Sequence, residues 1–153
     1  MKKVLSFAIA IAIPLLVGVV SALLTMNNMD VYSTVNQPPL TPPALVFPIV
    51  WTVLFTLMGV SSALVYNSYS NKKDDAFFVY AVSLGLNFLW SIIFFNFRQF
   101  ILSFIVLVAL LISIIATIVK YFKINKVASL LQIPYAVWVA FAGYLNFAII
   151  LLN

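Results

Sequence analysis

The chain is 153 residues long, 65% hydrophobic and only 7% charged, with a mean hydropathy of +1.20 and a formal net charge of +5. A soluble domain carries about 25% charged residues, so a water-soluble fold of this size is excluded: it would have almost nothing to place on its surface. The absence of cysteine and histidine removes disulfides, thiol nucleophiles, thiolate metal sites, the commonest general base and firm axial ligation of haem.

A bilayer-spanning helix needs about 20 apolar residues. Five uncharged runs reach that length, residues 4–25, 44–66, 76–97, 99–118 and 127–152. They predict an all-α membrane protein, a bundle of five transmembrane helices forming a single domain over residues 1–153. The first run follows Met-Lys-Lys as a signal peptide would, but it outlasts the usual signal core of about 7–15 apolar residues and is read as a retained span. Ala8, Ala12, Gly18 and Ala22 give it the small-xxx-small spacing of close helix contacts.

The first break, "MNNMDVYSTVNQPPLTPP", leads to the second run through Pro38, Pro39, Pro42, Pro43 and Pro48. Proline fixes φ and cannot donate a hydrogen bond, so this connection is expected to be extended and stiff. It is read either as a lid above Trp51 or as a rigid connection that starts a helix. Positions three, four and seven apart share a helix face. In the second run Trp51, Phe55, Met58 and Ser62 align; in the third, Tyr80, Ser83, Asn87, Ser91 and Phe94, with Trp90 at the border; in the fifth, Tyr135, Trp138, Ala142 and Asn146. Lipid offers no hydrogen bonds, so the asparagines and hydroxyls are expected to point inward.

Lys2, Lys3, Lys72, Lys73, Lys120, Lys123 and Lys126 fall on one side of a five-span topology and Arg98 alone on the other. That bias places the N-terminus in the cytoplasm, with the first loop and the C-terminus outside a cell membrane. It also assigns the basic charge to the bilayer surface, with no nucleic-acid partner.

Depth bears on what the stripes do. At 1.5 Å per residue, Trp51 and Trp90 lie about 10 Å below the outer helix ends, Asn87 about 15 Å and Trp138 about 21 Å. Two readings are open: ordinary packing stripes, with Tyr32, Tyr66 and Tyr121 as interface anchors, or an apolar cavity with a few polar handles. Trp138, at mid-depth with an N–H to satisfy, makes a poor lipid anchor. No span carries a charge, which argues against ion-coupled transport, and Asp30, Asp74 and Asp75 all fall in loops. No acid, base and nucleophile come together and no metal set exists. Any reaction would have to be carried by the ligand itself, such as a light-absorbing pigment.

The stretches "PPLTPPALVFPIVWTVLFTLMGVSSALV", "LNFLWSIIFF" and "LLQIPYAVWVAFAGYLNFAIILLN" resemble the TspO/MBR translocator family, also called tryptophan-rich sensory proteins or peripheral benzodiazepine receptors. The resemblance covers nearly the whole chain. It implies a homodimeric five-helix bundle that takes tetrapyrroles such as protoporphyrin IX as ligand or substrate, with no resident cofactor; in animal members it also implies sterol and drug binding. Some bacterial members break down protoporphyrin under light. On this resemblance Trp51 and Trp138 match the cavity tryptophans tied to binding and photochemistry. Tyr32, Pro42, Phe55, Asn87, Trp90, Ser91, Ala142 and Leu145 match pocket-lining positions, and Asn146, on the fifth-run stripe, joins them as a candidate ligand contact.

The departures are specific. Val31 and Leu40 stand where the family has tryptophans, Gln37 where it has a lysine, and Phe147 and Leu151 where the animal sterol motif needs an aromatic and then a basic residue. Three functions compete on this sequence: a porphyrin-binding protein with light-dependent degradation, a passive carrier or partner-recruiting sensor, and a structural membrane protein with an incidental cavity.

Overall fold

The computed structural model describes every residue, Met1–Asn153. Its helices are α1 (Lys2–Thr25), the single turn α2 (Val31–Thr34), α3 (Val46–Tyr66), α4 (Lys73–Ser91), α5 (Phe100–Phe122), α6 (Lys126–Leu131) and α7 (Ile133–Leu152). Five stretches are long and apolar enough to cross a membrane: Lys2–Thr34, Val46–Tyr66, Lys73–Asn96, Phe100–Phe122 and Lys126–Leu152. The protein is an all-α bundle of five transmembrane helices.

The core lies between α3, α4, α5 and α7, where Met58, Phe94, Leu110, Ile114, Tyr121 and Tyr135 are fully buried. α1 packs chiefly against α3 and buries only Pro14, Ser21 and Thr25. Its outer face presents Leu16 and Leu23, each more than half exposed, as a lipid-facing surface requires. One glycine sets how closely α1 and α3 approach. A Cβ on Gly59 would stand 2.3 Å from Ile11 Cα and 2.8 Å from the Ala10 carbonyl oxygen, so backbone meets backbone there and no side chain fits.

The structure refines three boundaries. The first connection is not extended throughout: Met26–Asn28 form a 3₁₀ turn, and α2 follows with the Ser33 and Thr34 amides donating to the Asp30 carbonyl at 3.0 and 3.2 Å. The prolines begin only at Pro38, so the upstream amides are free to close a helical turn; extended backbone starts at Val35 (φ −113°, ψ 161°). The third span ends in a π-helical turn, Ile92–Asn96. The fifth span breaks at Gln132, two residues before Pro134, which removes one donor at the start of α7. The break is pinned from the side. Gln132 Nε2 donates to Ser61 Oγ at 3.1 Å, and Ser61 Oγ donates to the Ala128 carbonyl at 2.7 Å.

The proline-rich segment is tied to the end of α7. Tyr144 Oη donates to the Pro39 carbonyl at 2.8 Å, the Asn36 amide donates to Asn153 Oδ1 at 3.1 Å, and Asn36 Nδ2 donates to the Leu152 carbonyl at 3.1 Å. A second tie holds its helical half. Arg98, at the tight α4–α5 corner with φ 51°, donates to Asp30 Oδ1 at 3.1 Å and to Thr34 Oγ1 at 3.0 Å. A non-glycine residue in the left-handed region is strained, and here the strained corner brings its guanidinium to the lid.

Candidate functional site

α1, α3, α4, α7 and the proline-rich segment enclose a cavity of about 860 Å³, within the 300–1,000 Å³ typical of small-molecule sites. Aromatic side chains form most of its fixed geometry. Trp51 stacks on Phe55 at 5.5 Å between ring centroids and meets Tyr135 edge-on at 6.3 Å. Tyr32 stacks on Phe47 at 5.3 Å, and Phe47 meets Trp138 edge-on at 5.9 Å. Such offset and T-shaped pairs hold rings more firmly than area alone, so the wall is preorganised around flat surfaces.

Of the residues singled out in the sequence, Tyr32, Pro42, Trp51, Phe55, Asn87, Trp90, Ser91, Trp138 and Ala142 line this one cavity. Leu145 and Asn146 do not; both are buried behind the wall. Asn146 is spent on structure. Its Oδ1 accepts from Trp90 Nε1 at 3.2 Å and from Ser103 Oγ at 3.0 Å, and its Nδ2 donates to the Phe100 carbonyl at 2.9 Å. It fixes the Trp90 ring and lies outside the cavity lining. Asn87 is in the wall, yet its Nδ2 donates to Tyr135 Oη at 2.9 Å, so the amide nitrogen is engaged as well.

Two buried side-chain polar atoms in the protein have no hydrogen-bond partner, Trp138 Nε1 and Ser21 Oγ, and both residues line this cavity. An unsatisfied buried donor costs about 1–3 kcal/mol. Indole nitrogen only donates, so an acceptor brought within reach of Trp138 Nε1 would relieve that cost.

The contribution of α1 was missed in the sequence. Gly18, Ser21, Ala22 and Thr25 form a small and polar stripe facing the cavity, at the spacing of one helix face. A Cβ on Gly18 would lie 2.6 Å from Phe55 Cε2, so the glycine admits the ring that backs Trp51. Gly18 is therefore engaged within the chain and Ala22 lines the cavity, while Ala22, Ala8 and Ala12 are all exposed. Phe47, which bridges Tyr32 and Trp138, was also passed over, although it stands four residues before Trp51 on the same face, in the first turn of α3.

The rim is polar. Asp30 and Gln37 line it; Asp30 carries the ion pair to Arg98, and Gln37 Nε2 donates to the Tyr32 carbonyl. No cluster of histidine, cysteine or carboxylate side chains able to hold a metal ion occurs in the chain.

Comparison with known proteins places this arrangement. The TspO/MBR family model matches residues 10–152. The chain belongs to the TspO/MBR family. It is 36% identical to the tryptophan-rich protein TspO of Chlorobaculum tepidum over 99% of this chain and 98% of that protein. It is 32% identical to the tryptophan-rich sensory protein of Cereibacter sphaeroides, covering 80% and 76% of the two chains, and 29% identical to the translocator protein of Bos taurus, covering 76% and 70%. Family membership and the five spans together make it a multi-pass membrane protein.

Proposed function

We propose that this TspO/MBR protein binds protoporphyrin IX, or another flat, apolar tetrapyrrole, in the indole-lined cavity and supports its degradation under light. The observation that carries the reading is one cavity walled by stacked aromatic rings, Trp51 and Trp138 among them, with two residues in its lining, Trp138 and Ser21, that each hold a buried polar atom without a partner. A tetrapyrrole presents broad π faces to indole and phenyl rings and peripheral oxygens to an N–H donor. The protein's part is positional: Trp51 and Trp138 hold the ring, and the lid excludes bulk water. Light absorption belongs to the tetrapyrrole and dioxygen is the co-reactant. The lysine bias supports a lid and C-terminus outside the cell, and the spacing of the exposed Ala8 and Ala12 supports a homodimer packed through that face.

The hydrogen bonds from the lid to α7 and its ion pair to Arg98 favour a second reading, in which occupancy shifts the lid and a partner protein senses it without any catalysis. The experiment that separates them is a titration of purified protein with protoporphyrin IX, following tryptophan quenching, and then illumination of the complex in air while the porphyrin absorption band is recorded. Saturable quenching with light-dependent loss of the band supports the first reading. Quenching with an unchanged band leaves only the sensor. Absence of quenching by a fully helical protein refutes tetrapyrrole binding.

A further inference from the structure

A second cavity, of about 680 Å³, lies at the opposite end of the bundle between α1, α3 and α4. On α1 it takes Lys2, Leu5, Ser6, Ile9, Ala10 and Ile13, one face of the helix. It shares no lining residue with the proposed porphyrin site.

Its polarity is graded with depth. The mouth carries Lys2, Ser6, Tyr66 and Asn67, with Asn67 Nδ2 donating to Ser6 Oγ at 2.9 Å. About 7–10 Å further in, by helix rise from the ends of α3 and α4, lie Ser62 and Tyr80; Ser62 Oγ shares a hydrogen bond with Tyr121 Oη at 2.9 Å. The far end is purely aliphatic, with Ile9, Ala10, Ile13 and Leu84. From Lys2 to Ile13, and equally from Lys73 to Leu84, eleven helical steps give about 16 Å. One leaflet of hydrocarbon is about 15 Å deep, half of the ~30 Å core. The cavity is therefore as deep as one leaflet, charged at its mouth, hydroxyl-bearing at the level of ester groups and aliphatic beyond.

The charge at the mouth is positive. Lys2, Lys3, Lys72 and Lys73 gather at this end and outnumber the one carboxylate without an ion pair there, Asp74; Asp75 is drawn away to Lys120, and Lys73 Nζ donates to the Tyr66 carbonyl at 2.9 Å while lying 5.6 Å over the Tyr66 ring. Lys2 and Lys3 take part in no ion pair. We infer that this groove is a binding site for one anionic glycerophospholipid of the leaflet touching the lysine-bearing end. Its phosphate is held at Lys2, its ester region lies beside Ser62 and Tyr80, and one acyl chain runs between α1 and α4. Annular lipid around a smooth helix face would be indifferent to headgroup; three helices with a lysine at the entrance are not.

The test uses the full-length protein in vesicles of phosphatidylcholine doped with a trace of photoactivatable lipid, carrying a diazirine near the acyl terminus and either a phosphatidylglycerol or a phosphatidylcholine headgroup. Crosslinks are mapped by peptide mass spectrometry. Labelling of the Ile9–Ile13 and Ala81–Leu84 regions is expected to favour phosphatidylglycerol. Lys2→Gln should lower that preference about fivefold, the effect of one lysine at an anionic surface, with phosphatidylcholine labelling unchanged. Ala81→Leu, at an exposed position inside the groove, should suppress labelling for both headgroups while leaving helicity intact. Equal labelling by the two headgroups, labelling indifferent to both substitutions, or crosslinks joining two copies of the chain through this face would each overturn the assignment. Porphyrin quenching plays no part in the readout, so failure here leaves the proposed function standing.

Discussion

Trp138→Phe tests the central feature of the cavity. Phenylalanine keeps a ring against Phe47 and Phe141 but has no N–H, so the partnerless donor disappears. Leaving that donor unsatisfied costs about 1–3 kcal/mol, whereas trimming ~40 Å² of ring surface forfeits on the order of 1 kcal/mol. The ligand-free variant should therefore be as stable as the parent or slightly more so, with a Tm unchanged or raised by a few degrees, given about 2–4 °C per kcal/mol for a chain of this size. Protoporphyrin binding loses one hydrogen bond worth about 0.5–1.5 kcal/mol, which weakens Kd about 2- to 12-fold. Thermal unfolding by circular dichroism in detergent and fluorescence titration give the two numbers. A Tm that falls by several degrees together with an unchanged Kd would refute the reasoning, because it would make Trp138 a packing residue whose donor is already satisfied.

Other changes probe the frame and the rim. Gly59→Ala forces α1 away from α3 by about 1 Å and should destabilise the bundle by about 1–3 kcal/mol; an unchanged Tm in the same unfolding assay would contradict the Gly59–Ile11 contact. Gln37→Lys restores a cation at the rim and should tighten protoporphyrin IX up to about fivefold, the ceiling for an exposed ion pair. The dimethyl ester, lacking carboxylates, should bind as before, and equal gains for both compounds would show that charge is not the cause. Asp30→Asn removes the pair with Arg98, whose partners are 58% and 39% exposed, so stability should fall by less than about 1 kcal/mol. Stopped-flow quenching should show faster association and dissociation with a nearly constant Kd; unaltered rates would mean that this tie does not gate entry.

The spans were legible because lipid imposes a simple rule on the sequence: long uncharged runs, with lysines left at their ends. The aromatic wall was legible for a related reason. Trp51, Asn87 and Trp138 fall on inward stripes set by helix period, and the cavity has them all. What escaped was decided by tertiary partners. Asn146 shares a stripe with Trp138, but the Phe100 carbonyl and the Ser103 hydroxyl of a neighbouring helix claim its amide, and no periodicity reveals that. Gly18 and Ala22 were read only as small-residue spacing for close helix contact, because spacing does not name the partner, and the cavity-facing stripe that they form with Ser21 and Thr25 was missed. The turn at Val31–Thr34 was hidden by the prolines downstream, whose stiffness was extended to residues that carry free amides.

α1 is a wall shared by two rooms. It runs along α3 and meets it at three levels, Ser6 with Asn67, Ile11 with Gly59 and Gly18 with Phe55, and it lines the hollow at each end of the bundle. If an occupant of one hollow displaces α1, linkage requires the affinity at the other end to change, and the reverse to hold by the same factor.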